Sequence, residues 1–132
     1  MILASGCFDG IHAGHVRYLT AAASIFPRHL LVVAVAPDAY IRKHKLREPQ
    51  WPEADRLEAV LALKVVGRVV LHDVDGVART IVEQTPDVFV KGSDWKGRLL
   101  PDVLAACQRV GCAVVFTKKS GGHTSERLCA IR

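Results

Sequence analysis

Short apolar runs alternate along this chain with longer segments in which apolar residues recur every three or four positions. The runs ILAS (2–5), HLLVVAVA (29–36), RVVLHD (68–73), DVFVKG (87–92) and AVVFT (113–117) predict five β-strands. They are nearly continuous in hydrophobicity, as expected of strands buried on both faces of a parallel sheet. Helices are predicted near 14–25, 53–64, 75–85 and 100–110, with a short one starting near 125. In the fourth, Leu100, Val103, Leu104, Cys107 and Val110 share one stripe while Asp102, Gln108 and Arg109 face away. Pro101 in its first turn and Gly111 at its end sit where backbone geometry favours them. Right-handed crossovers fold such units into an α/β, doubly wound, five-stranded parallel sheet whose ligand crevice lies outside the carboxyl ends of the strands. The segment 37–52, PDAYIRKHKLREPQWP, reads as a long irregular loop rich in basic side chains and proline, a kind of loop that often carries function.

Composition narrows the classes. A chain of 132 residues, half of them hydrophobic, has the material for one core, so residues 1–132 are read as a single domain. No apolar run is long enough to span a bilayer, and Asp9 interrupts the start where a secretion signal would be apolar, so a cytoplasmic location and no membrane partner are expected. Cys7, Cys107, Cys112 and Cys129 lack CxxC spacing and suggest neither a zinc site nor a disulfide framework; they read as buried or idle thiols. The net charge of +5 suits nucleic acid or small polyphosphates. Aromatic residues are few and not interleaved with basic ones as stacking platforms would be, so no nucleic-acid partner is expected.

The chemistry should gather at strand ends, and the first strand ends at GCFDGIHAGH (6–15). Gly6, Gly10 and Gly14 allow close backbone approach to a ligand or positive φ. The helix beginning near Gly14 aims its unpaired amides and positive dipole end at the same place, which favours phosphate. His12 and His15 add side-chain donors converging on one anion. Other readings of these residues stay open: the dinucleotide GxGxxG spacing and a Walker lysine are absent, as is the HExxH of zinc proteases. His29 and His72, at strand ends, read as surface or internally satisfied histidines, and His44 as part of the basic loop.

His12, Ala13, Gly14 and His15 form an HxGH motif preceded by Gly6, Cys7, Phe8 and Asp9. Further along come a basic loop with Lys43 and Lys45, a helix bearing Arg56, VKGSDWKG (90–97) and GGHTSERL (121–128). In this order the landmarks resemble the nucleotidyltransferase superfamily of cytidylyl- and adenylyltransferases, over nearly the whole chain. The resemblance implies a Rossmann-like fold of the nucleotidyltransferase type. It also implies attack by a phosphate oxygen of one substrate on the α-phosphorus of a nucleoside triphosphate, ATP or CTP, with release of pyrophosphate. Such a reaction needs positioning and charge stabilisation more than a nucleophile.

On this resemblance His12, His15, Lys43 and Lys45 are the catalytic set, the imidazoles donating to phosphate oxygens and a lysine closing over them. Gly6, Cys7, Phe8 and Gly14 would hold the nucleotide from the first turn; Gly92, Asp94 and Trp95 would hold its nucleoside; Lys119, Thr124 and Ser125 would hold its triphosphate. Thr124 would also cap the last helix. Asp9, Asp38 and Arg56 would bind the acceptor. Mg²⁺ is expected with the triphosphate, with no protein ligand for it identified. Relatives are commonly dimers, so a homodimer is expected. Glu126 stands where the family commonly has a hydroxyl, and Lys118 and Lys119 stand where it often has an arginine.

The combination of GCFD, HAGH and VKGSDW is similar to the heptose 1-phosphate adenylyltransferases, and the DWKG element to the glycerol 3-phosphate cytidylyltransferases. A phosphorylated sugar or polyol is the expected acceptor. An FMN adenylyltransferase is the weaker reading, because 37–52 offers few aromatic surfaces for a flavin. A nucleotide-binding protein with impaired turnover is the alternative from another class, motivated by Glu126 and the missing arginine.

Overall fold

The structure, a computed structural model, describes residues 1–118 in full and the backbone of Thr124–Cys129. Five parallel strands form its centre: β1 (Ile2–Gly6), β2 (Leu31–Val35), β3 (Arg68–Leu71), β4 (Val88–Gly92) and β5 (Ala113–Thr117). Their order is β3-β2-β1-β4-β5, so the chain winds outward from β1 in one direction and then from β4 in the other. Helices α1 (Ala13–Ile25) and α3 (Glu53–Leu61) cover one face; α4 (Ala78–Gln84) and α5 (Pro101–Val110) cover the other. The expected doubly wound α/β architecture is therefore present.

Both faces of the sheet are packed, which explains why the central strands carry no polar alternation. Ile2, Ala4, Val33, Val35 and Val90 pack with Leu19, Ala22 and Val60 on the α1/α3 side. Leu3, Val32, Ala34 and Phe89 pack with Ile81, Val103, Ala106 and Cys107 on the α4/α5 side. Each fully buried aliphatic side chain contributes about 1.5–3 kcal/mol relative to exposure. Val103 and Cys107 of the α5 stripe are buried as its periodicity predicts, whereas Leu100 stands 58% exposed at the mouth of a cavity.

Two expectations need correction. The segment 37–52 is not one irregular loop, because Asp38–Lys45 forms a helix, α2. It escapes periodicity analysis because only Ile41 is buried, and its support is electrostatic: Asp38 lies at the positive end of the dipole, and Arg42, Lys43, His44 and Lys45 lie at the negative end. Leu46, at φ 56°, ends it in the left-handed region. The short helix expected from 125 is instead a sixth strand, β6 (Thr124–Cys129), antiparallel to β5. Thr124 is therefore no helix cap. The physical reason is the otherwise open edge of β5, whose backbone groups pair with the returning chain.

Candidate active site

The sheet reverses its winding between β1 and β4, and the carboxyl ends of the strands there open onto a cavity of about 580 Å³. Its floor is made by strand ends, among them Ser5, Gly6, Lys91 and Thr117. One rim is the start of α1. Tyr18 anchors that helix to the sheet by donating to the Val90 carbonyl at 2.6 Å.

His12 is the N-cap of α1 and His15 its third residue, and the two cap the helix reciprocally. Gly14 N–H donates to His12 Nδ1 at 3.0 Å, and His12 N–H donates to His15 Nδ1 at 3.2 Å. A neutral imidazole that accepts at Nδ1 carries its proton on Nε2. The two rings, with centroids 4.0 Å apart, therefore present N–H donors, and both line the cavity. Burial, reinforced by the neighbouring His12, holds the His15 pKa below its ordinary value of 6.5. Gly14 is required by this arrangement, because a Cβ there would lie 2.7 Å from His12 Cε1.

The other expected residues divide. Gly6, Cys7, Gly14, Gly92, Asp94, Trp95 and Lys45 line the same cavity as the histidines. A side chain at Gly92 would meet the Asp94 carboxylate at 2.7 Å, so the glycine leaves that carboxylate its position. Lys43 does not line the cavity itself; its exposed ammonium pairs at 2.7 Å with Asp75, which does. Phe8 is buried in the core at φ 51° and borders a smaller hollow of about 200 Å³. Lys119 and the side chains of Thr124 and Ser125 lie outside the described residues.

The three residues expected to bind the acceptor serve as internal braces in this structure. Arg56 is 1% exposed. Its guanidinium donates to the carbonyls of Trp51, Cys7 and Ala36 and to Asp38 Oδ1, leaving little to offer a ligand. Asp38 is thus the counter-ion of Arg56. Asp9 accepts from Arg47, from Gln50 N–H and from Trp51 N–H, all within 2.8 Å. Burial alone would raise the Asp9 pKa, but these hydrogen bonds outweigh it and hold the group below its ordinary value. Together the three residues fix the ends of β1 and β2 and the chain between α2 and α3.

Two side chains to which sequence reasoning gave no role in the site, Lys91 and His72, reach the cavity. Lys91, near the end of β4, lies beneath Trp95 with Nζ 4.7 Å from the ring centroid. His72, just after β3, is 8% exposed and lines the cavity, with Nδ1 2.7 Å from the Asp73 carbonyl and Tyr40 edge-on at 4.8 Å between centroids. A usable signal existed for Lys91, which is the one charge inside an otherwise apolar strand, VFVKG.

The paired imidazoles stand at a helix start on the switch point of a doubly wound sheet, and the model of the cytidylyltransferase-like family matches residues 3–118. The chain belongs to the cytidylyltransferase-like family. It is thereby a nucleotidyltransferase. It is 43% identical over 129 residues to the bifunctional protein HldE of Streptomyces coelicolor, covering 97% of this chain and 27% of that protein. To the bifunctional protein HldE of Coxiella burnetii it is 39% identical over 126 residues, covering 95% of this chain and 26% of that protein. The chain thus spans about a quarter of the length of these relatives. Among solved structures it is similar to the lipopolysaccharide core biosynthesis protein from Thermoplasma volcanium, with a TM-score of 0.73 and 29% identity, covering 89% of this chain and 93% of that one. A protein of unknown function from Archaeoglobus fulgidus shares the fold at a TM-score of 0.57 and 15% identity, covering 89% of this chain and 98% of that one.

Proposed function

We propose that this nucleotidyltransferase moves AMP or CMP from a nucleoside triphosphate to the phosphate of a sugar or polyol, releasing pyrophosphate. The observation that carries this reading is the His12–His15 pair, whose Nδ1 atoms are occupied by backbone amides and whose remaining N–H groups serve the cavity at the start of α1. A sugar-type acceptor draws support from the similar structure, which is that of a lipopolysaccharide core biosynthesis protein.

In the reaction an acceptor phosphate oxygen forms a bond to the α-phosphorus, and the bond from that phosphorus to the pyrophosphate oxygen breaks, the leaving group taking the electron pair. The chain supplies donors where negative charge develops: His12 and His15 from the helix start and Lys45 from the end of α2. Asp94 would accept from ribose hydroxyls and Trp95 would wall the nucleoside. Mg²⁺ belongs to this reading as part of the nucleotide substrate, where it would shield the charge of the leaving pyrophosphate. A homodimer is part of this reading and is checked by sedimentation.

The test is pyrophosphate release from ATP and from CTP with a panel of sugar 1-phosphates, glycerol 3-phosphate and FMN. Release with one nucleotide and a sugar or polyol phosphate is expected. Nucleotide binding without release from any pair would make the protein a binder rather than an enzyme.

A further inference from the structure

The reaction as derived leaves one part-buried cation without a role. Lys91 follows Val88, Phe89 and Val90, all buried; its ammonium hydrogen-bonds Ser5 Oγ at 3.3 Å and the Ser5 carbonyl at 3.4 Å, with the Trp95 ring face at 4.7 Å. Neither partner carries negative charge, and among the described residues no carboxylate lies within ion-pair distance of it. An ammonium is stable in such a place only when its charge is compensated, and an anion entering the cavity would do so. Burial pushes its pKa down to about 8. The groups facing it are the Cys7 thiol and Asp94, which favour its charged form, Lys45, which opposes it, and His72.

His72 completes the picture. Its Nδ1 lies 2.7 Å from the Asp73 carbonyl, which can only accept, so the proton sits on Nδ1 and Nε2 is a bare acceptor. Burial first, and then the charge of Lys91, keep the ring neutral, while the Asp73 carbonyl works against them. Such an acceptor needs a donor, and hydroxyl groups are the donors that a sugar or polyol supplies. The triphosphate has its own donors at the start of α1, and the nucleoside has Asp94 and Trp95 beyond β4. Lys91, which also faces Trp95, stands near the end of β4 and His72 just after β3, and both line the same cavity.

We propose that Lys91 and His72 form the acceptor subsite, the ammonium receiving the acceptor's phosphate and the histidine Nε2 accepting a hydrogen bond from one of its hydroxyls. The proposal rests on the nucleotidyltransferase reading of the same cavity. It moves acceptor recognition from Arg56, Asp38 and Asp9, which brace the scaffold, to residues that line the cavity. A dianionic phosphate beside Lys91 restores the full charge of the lysine, so binding above pH 8 takes up protons from solvent.

The experiment is calorimetric titration of the protein with glycerol 3-phosphate, glucose 1-phosphate and inorganic phosphate at pH 8.5, in two buffers of different ionisation enthalpy. The wild type is expected to take up a fraction of a proton per phosphate bound. Lys91→Met should abolish that uptake and weaken all three probes tenfold or more, with the affinity for MgATP and MgCTP changed less than twofold. His72→Phe should weaken the two hydroxylated probes and leave inorganic phosphate unchanged. Met keeps the length of the lysine and removes an unpaired charge, so this variant should melt no lower than wild type; if it fails to fold, the wild-type proton count decides alone. No phosphate binding by the wild type, no proton uptake, or an equal loss of nucleotide affinity in Lys91→Met would overturn the subsite. Phosphate binding and proton uptake without pyrophosphate release would refute the proposed reaction while leaving the anion site intact.

Discussion

His12 and His15 show how a residue's neighbours decide its chemistry. Each gives Nδ1 to a backbone amide, so each turns a protonated nitrogen outward, and protonating either Nδ1 would break a cap. The His15 pKa already lies below 6.5 through burial and the charge of His12. Between the folded and unfolded pKa values the unfolded chain binds more protons, so stability rises with pH through that window and is lost as pH falls through it. We expect turnover to fall on an acid limb that lies below pH 6.5, in step with loss of the cap, which a pH profile of kcat/KM alongside NMR titration of the His15 ring would check. Replacing either histidine with Ala should cost on the order of 2–4 kcal/mol of transition-state stabilisation, read as kcat/KM. The histidine pair was legible from spacing alone, because HxGH at a helix start puts both rings on one turn. The direction of the Arg56 guanidinium was not: a sequence places it on α3 but cannot say that the Cys7, Ala36 and Trp51 carbonyls surround it. Lys91 was legible in principle as a charge in an apolar strand, yet the same pattern describes a strand end reaching water.

At the scale of elements, the site depends on two joints. The first is the start of α1, where Gly14 lets the His12 ring fold over the helix. Gly14→Ala should displace that ring, costing about 1 kcal/mol of stability for the lost cap and at least tenfold in turnover. A melting curve and a rate together separate the two effects, and unchanged turnover would mean the cap does not set the ring. The second joint is Arg56, which ties α3 to the ends of β1 and β2. Arg56→Met would strand the Asp38 carboxylate and three carbonyls, for a loss of about 3–5 kcal/mol measurable by urea denaturation. A phosphate-binding Arg56 would instead show normal stability with a raised acceptor KM. The strands were readable because burial on both faces leaves the central ones almost wholly apolar. Helix α2 was not, since one buried residue, Ile41, makes no stripe, and its charges mimic a solvated loop. The segment 124–129 was misread for a related reason: pairing with the edge of β5 is a tertiary fact that no local propensity in TSERLC records.

Across the whole molecule, one sheet gives the cavity its floor while separate elements supply its walls. On the proposed reading the α1 start and Lys45 would serve phosphates and Asp94 with Trp95 the nucleoside, so a bound nucleotide would bridge residues that line one cavity from at least three elements. A ligand that bridges elements and binds only the folded state stabilises all of them by mass action. At a hundred times its Kd the gain is about 2.7 kcal/mol, which for a domain of this size is a rise in Tm of roughly 10 °C. Melting the protein against equal concentrations of MgATP and MgCTP therefore ranks the two bases without any knowledge of the acceptor. One nucleotide should raise Tm by several degrees more than the other, and Asp94→Asn should shrink that rise by weakening the ribose contact. His12→Ala should shrink it less for the free nucleotide than it lowers turnover, because a donor aimed at charge that develops during the reaction acts more on the transition state than on the ground state. Equal losses in Tm shift and in turnover would instead make His12 a binding residue for the resting triphosphate.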